Sequence, residues 1–199
     1  MSIFSRLRND LQKYGLISVF LHWVMAAMII GLFVLGKYMI DLNYYSPWYT
    51  KAPDMHYSFG IIVTFLLIFR LGWRMSNLHP KPIGKTWEKH VAIWVHRLFY
   101  ALIATIVVSG YLITTAKGQA IPVFGWFNVP ATLYDFSNQE DVSGVAHKWL
   151  ANALIALVIL HTMAALKHHF IDRDATLRRM SGRVKCDHLS QQQQRNKLP

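Results

Sequence analysis

Cysteine is almost absent: Cys186 stands alone in 199 residues. A single thiol excludes an internal disulfide and every cysteine-based metal or cluster site. Charge is scarce too. Asp, Glu, Lys and Arg make up 16 % of the chain, where soluble domains carry roughly 25 %. Acidic residues are scarcest, 10 against 21 Lys and Arg, for a formal net charge of +11. Such a surplus can mark a nucleic-acid binder. Here the basic residues fall in separate clusters between apolar runs, which argues against nucleic acid as a partner. No stretch alternates with period two, against a membrane β-barrel, and there is no internal repeat. No small-residue cleavage site follows the first apolar run. The opening MSIFSRLRNDLQKYG and the run behind it therefore read as a retained anchor.

What the chain has in abundance is apolar surface, 53 % of residues, with seven Trp and eleven Phe. It is gathered in four runs: LISVFLHWVMAAMIIGLFVLG (16–36), MHYSFGIIVTFLLIFRLGW (55–73), VAIWVHRLFYALIATIVVSGYLITT (91–115) and VAHKWLANALIALVILHTMAALKHHF (145–170). Each is close to the ~20 residues a helix needs to cross a hydrocarbon core about 30 Å thick. The sequence predicts an all-α membrane protein, a four-transmembrane-helix bundle over residues 1–181. A polar tail, 182–199, ends in the low-complexity SQQQQRNKLP and reads as disordered.

Lys and Arg orient it. Arg6, Arg8 and Lys13 precede the first run. Arg70, Arg74, Lys81, Lys85 and Lys89 follow the second. Lys167, Arg173, Arg178, Arg179, Arg183, Lys185, Arg195 and Lys197 follow the fourth. The other two connections, 37–54 and 116–144, hold few cations, balanced by acids. Both termini are predicted to be cytoplasmic in a multi-pass protein of the bacterial inner membrane. The outer connections are rich in Tyr, Trp and Pro, suited to the headgroup layer, and IPVFGWFNVPATLYDF reads as a re-entrant or surface-lying cap.

The fourth run carries His147 and His161, fourteen residues apart. That step returns to within ~40° of the same helix face after a rise of about 21 Å. A polar ring in hydrocarbon is costly and rarely accidental. At matching depths stand His22 in the first run, near the inner edge, and His56 in the first turn of the second. The pairs His22/His161 and His56/His147 suit the axial ligation of two b-type haems between facing helices. Gly60, one turn after His56, leaves room for a flat macrocycle. Tetrahedral zinc is disfavoured, because it needs four ligands at one depth. An iron with two axial histidines has no open position and suits electron transfer.

Other histidines leave alternatives open. His96 has three roles available: approach to the inner haem, quinone binding, or a hydrogen bond to a neighbouring helix. His168 and His169, at the inner interface, are either a solvated helix end or proton donors beside a quinone. His79, His90 and His188 read as exposed. Cations for haem propionates are Arg70, Arg74, Arg97 and Lys167 inside, and Lys51, Lys117 and Lys148 outside. Lys148 adjoins His147 and is placed to steer an anion.

LHW in the first run, MHYSFGI with FRLGWR in the second, and the paired histidines followed by LKHHFIDRDATLRRM in the fourth carry a resemblance. Over about residues 14–181 the chain resembles the bacterial cytochrome b561 family. YYSPWYTKAP and IPVFGWFNVPATL are similar to the subgroup of the second cytochrome b561 homologue. The resemblance implies haem b on His22, His56, His147 and His161, and exchange of electrons with the quinone pool. It further implies a superoxide oxidase, a superoxide:ubiquinone oxidoreductase working from the outer face. The alternative is an electron-transfer subunit for a periplasmic redox partner, docked on the outer aromatic loops.

Overall fold

A computed structural model describes residues 7–81 and 83–181. Arg6, Cys186, His188 and the whole expected tail lie outside the described residues. Four long helices dominate: α1 (Leu16–Ile40), α2 (Lys51–Met75), α3 (Thr86–Thr115) and α4 (Gln139–Phe170). All four are long and apolar enough to cross a membrane. The shortest have 25 residues, about 38 Å at 1.5 Å per residue. Each extends beyond its apolar run because polar residues continue the backbone ladder at its ends. Pro53 is tolerated in the first turn of α2, where an amide has no partner to lose. Gly84, at φ +105°, turns the chain into α3, and a Cβ there would lie 2.8 Å from Glu88 Oε2. That oxygen accepts from Lys85 N at 2.8 Å and caps the helix.

The helices pack in sequence, α1 on α2, α2 on α3 and α3 on α4, with α4 touching α1. Two ends of the bundle result. The terminal end carries the start of α1, the α2–α3 connection and the end of α4. The hairpin end carries the other two connections. At mid-height Met25, Val63, Leu67, Ile103 and Leu154 form a buried apolar core. On the outside Phe20, Val34, Ile68 and Leu160 are each more than 60 % exposed. That surface suits hydrocarbon and not water.

Within the connection 116–138, β1 (Ile121–Val123) and β2 (Phe127–Val129) form an antiparallel hairpin. It lies on α2: Ile121 and Val123 are buried, and Phe124 packs edge-on to Phe59 at 5.0 Å. Ser58 Oγ, on α2, accepts from Phe124 N at 3.2 Å and donates to the Pro122 carbonyl at 3.4 Å. Farther along, Tyr111 OH donates to the Pro130 carbonyl at 2.9 Å and Gln139 Nε2 to Leu112 O at 2.9 Å. The cap is thus a hairpin strapped to helix ends. Ser58→Ala is expected to weaken its seat by about 1–2 kcal/mol. Limited proteolysis should then cut within 116–138 faster than in the parent protein, with helix content unchanged.

At the terminal end the segment after α4 folds back as α5 (Thr176–Met180). His168 Nδ1 bonds the carboxylates of Asp172 and Asp174 at 3.0 and 2.9 Å. Asp174 Oδ1 accepts from Thr176 N at 2.8 Å, and Trp23 Nε1 donates to Met180 O at 2.9 Å. The HHFIDRDATLRRM stretch is therefore a clasp that holds α5 against α1.

Candidate functional site

The fourteen-residue step seen on α4 recurs on every long helix. Residues 22 and 36 on α1 are His and Gly. Residues 56 and 70 on α2 are His and Arg, 96 and 110 on α3 are His and Gly, and 147 and 161 on α4 are both His. Each step covers about 21 Å, so eight positions fall in two layers with the apolar core between them. Leu154, midway on α4, belongs to that core.

The layer toward the hairpin end contains Gly36, His56, Gly110 and His147. The rings of His56 and His147 stand 6.1 Å apart, centroid to centroid, with planes at 69°. His147 Nδ1 is 3.0 Å from the Ile106 carbonyl and 3.2 Å from Ser109 Oγ. A carbonyl only accepts, so Nδ1 carries the proton and Nε2 keeps its lone pair. A Cβ on Gly110 would meet His147 Cε1 at 3.2 Å, and one on Gly36 would meet His56 Cε1 at 3.2 Å. Both rings therefore depend on a missing side chain on a neighbouring helix. Nδ1 of His56 is buried without a hydrogen-bond partner.

These residues fit a bis-histidine metal centre. Two metal–nitrogen bonds of about 2 Å, plus the distance from each nitrogen to its ring centre, span about 6 Å. A ligand imidazole that gives its second N–H to a backbone carbonyl is the usual support of a metal-bound histidine. Beside Gly60 a Cβ would meet no heavy atom within 4 Å, so the space in front of that glycine is open.

The layer toward the terminal end contains His22, Arg70, His96 and His161. His161 contacts His96 at 5.6 Å and Phe99 at 5.3 Å, centroid to centroid. His22 is within electrostatic reach of both His161 and His96. Arg70 reaches His22 Nδ1 with one terminal nitrogen at 3.4 Å, while its Nε donates to Tyr100 OH at 3.2 Å. Arg74 lies over the Tyr100 ring at 5.5 Å. The structure thus gathers three histidines and two arginines here, against two histidines and two glycines in the other layer.

The remaining candidates divide. Arg97 stacks on Trp94 at 5.0 Å, and Lys148 and Lys51 are exposed. Lys117 pairs with Glu140 at 3.2 Å. Lys167 bridges Glu88 and Asp172 at 2.9 and 2.8 Å. Its charge occupies the grouping of Glu88, His168 and Asp172, which has metal-like spacing. His168 is engaged by the clasp. His169 Nδ1 is buried without a partner. His79, in the α2–α3 connection, is exposed, as the sequence predicts; desolvation and then Arg74 hold it below the ordinary histidine value. Gly36, Gly110, Ser109, Ile106 and Tyr100 had not been singled out from the sequence. Extending the fourteen-residue step from His22 and His96 would have found both glycines.

Comparison with known proteins shows what the chain as a whole is similar to. A family model described as prokaryotic cytochrome b561 matches residues 13–183. Cytochrome b561 homolog 2 of Escherichia coli (strain K12) is 44 % identical over 182 residues, covering 90 % of this chain and 97 % of that protein. A probable superoxide oxidase, CybB of Yersinia pestis, is 28 % identical, covering 85 % of this chain and 96 % of its own length. Cytochrome b561 homolog 1 of E. coli (strain K12) is also 28 % identical, over 88 % of this chain and 100 % of that protein.

Proposed function

Since the chain belongs to the prokaryotic cytochrome b561 family, whose members carry b-type haem and transfer electrons in membranes, we propose that it binds two haems b and links superoxide outside the cell membrane to ubiquinone within it. Haem would be held by His56 with His147 in one layer and by His22 with His161 in the other. The observation that carries the reading is the His56/His147 pair, with the Nδ1 of His147 fixed on a carbonyl and Nε2 left free. Haem held by two histidines supplies one-electron transfer at a closed iron. The Lys and Arg clusters support a bacterial inner-membrane protein with both termini in the cytoplasm and the hairpin end in the periplasm.

The chain's own residues supply binding, orientation and proton handling. Gly36 and Gly110 admit the two rings of the periplasmic layer, and Ser109 and Ile106 keep His147 in one tautomer. Lys148 and Lys51 are exposed cations at that end and draw an anion such as superoxide toward it. Arg74 and Arg97 stand at the cytoplasmic layer for haem carboxylates, with Arg70 beside them tied to Tyr100 and His22. Two superoxide anions lose one electron each and leave as dioxygen, and one ubiquinone takes those electrons and two protons. His96, His168 and His169 are the imidazoles available to pass protons. His168 is the one among them bonded to two carboxylates, those of Asp172 and Asp174.

The test is stopped-flow mixing of the purified protein with superoxide, following the haem bands with and without ubiquinone. Fast reduction, slowed by salt and followed by reoxidation when quinone is present, is the expected result. Negligible reduction of a protein that still holds two haems would refute the superoxide half. It would also favour a second reading, an electron-transfer subunit for a periplasmic redox partner. The exposed Tyr45, Trp126 and Phe136 at the hairpin end support that reading.

A further inference from the structure

Apart from their histidines, the two layers differ most in fixed charge. In the cytoplasmic layer the Arg70 guanidinium is half-buried, 3.4 Å from His22 Nδ1 and tied to Tyr100 OH at 3.2 Å. In the periplasmic layer His147 faces a carbonyl and a hydroxyl, and His56 Nδ1 has no partner. The described cations at that end are Lys37, Lys51 and Lys148, all exposed, and Lys117, which is committed to Glu140.

We infer that Arg70, held in place by Tyr100, is the residue that makes the cytoplasmic layer the easier of the two to reduce and so sets the direction of electron flow inward. This rests on the two-haem reading above. A guanidinium keeps its charge under all relevant conditions. Adding an electron to a centre removes one positive charge, so a fixed positive neighbour in a low-dielectric site favours the reduced state. Water screens the exposed lysines at the other end. The electron gained by the inner centre is the one given up by the outer, so no further reactant is needed.

The tautomer of His22 supports a charge effect over a hydrogen-bond effect. Arg70 can only donate, so in this structure His22 Nδ1 accepts and its proton sits on Nε2. An imidazole that gives Nε2 to iron carries its proton on Nδ1 and cannot accept there. The Arg70–His22 contact then loosens, but the bond to Tyr100 keeps the guanidinium in the layer. The charge remains while the hydrogen bond does not. Tyr100 is therefore a positioning residue, and Arg70 acts through the field it imposes.

The measurement is spectroelectrochemistry of the haem-loaded protein. The parent is expected to show two one-electron waves. Arg70→Gln should lower only the higher-potential wave, by at least tenfold in the reduced-to-oxidised ratio at fixed potential, about 59 mV. Arg70→Lys, which keeps the charge, should stay near the parent. Two waves that Arg70→Gln leaves in place, or a shift confined to the lower wave, would overturn the inference. If Arg70→Gln retains a single haem, the surviving wave must match the parent's lower one, and a match to the higher overturns the inference equally. A parent protein without two waves would instead sink the two-haem reading on which this stands.

Discussion

His147→Ala is expected to yield a folded protein with one haem in place of two, its Soret absorbance per polypeptide falling by about half, because on the proposed assignment one of two iron centres would lose an axial ligand. His56→Ala should have the same effect, since its ring faces that of His147 at 6.1 Å. His161→Ala and His22→Ala should remove the other haem. The informative control is His96→Ala. His96 sits 5.6 Å from His161, so the layer toward the terminal end has three rings for the two positions the proposal needs. Retention of both haems in His96→Ala, with loss of one in His22→Ala, is the expected pattern. The reverse pattern would transfer the ligand role from His22 to His96. Pyridine haemochrome analysis of the purified variants reads the haem count directly.

Gly110→Val is expected to act almost as strongly without touching a ligand. A Cβ at residue 110 already meets His147 Cε1 at 3.2 Å and Nδ1 at 3.4 Å. Two more methyl groups drive the ring away from the Ile106 carbonyl on which its tautomer depends. Loss of such outer support typically costs 10–100-fold in metal affinity, and that range is expected for haem retention in the layer toward the hairpin end. Gly36→Val should do the same through His56. A substitution at Gly72, where a Cβ would meet nothing within 4 Å, serves as the comparison. Haem titration of the apo-variants decides the matter: unchanged uptake by Gly110→Val would remove the steric argument.

The four spans were legible because a membrane helix must bury its backbone polarity within itself, and its length follows from the hydrocarbon thickness. Their ends were not. Hydropathy reports only the hydrocarbon stretch, whereas Glu88 and Gln139 start helices with side-chain bonds to residues outside that stretch. The depths of His22, His56, His147 and His161 could be read by counting from the spans. The approach of His96 to His161 depends on how α3 rotates against α4, which no single helix reveals. The glycines illustrate the same limit. Gly60 was noticed because it follows a histidine on its own helix, while Gly36 and Gly110 matter through rings on other helices. The hairpin escaped because its strands are only three residues each and owe their seat to Ser58 and Phe59 on α2. In LKHHFIDRDATLRRM the sequence offered the acid–imidazole pattern but not its geometry. The two carboxylates turn out to converge on His168.

The apolar core between the layers has a bearing on energetics. Met25, Val63, Leu67, Ile103 and Leu154 offer no proton-carrying group. The hydroxyls of Thr64 and Thr105 are bonded to carbonyls of their own helices, at 2.9 Å each. On the proposed assignment, an electron that passes this plug travels without a companion proton. It therefore moves net charge through the insulating part of the membrane, as current through a capacitor. An elementary charge taken across the full membrane exchanges about 2.3 kcal/mol per 100 mV with the transmembrane voltage. Flow from the positive periplasmic side to the negative cytoplasmic side runs against that voltage, so an energised membrane acts as a brake on turnover and a discharged one releases it.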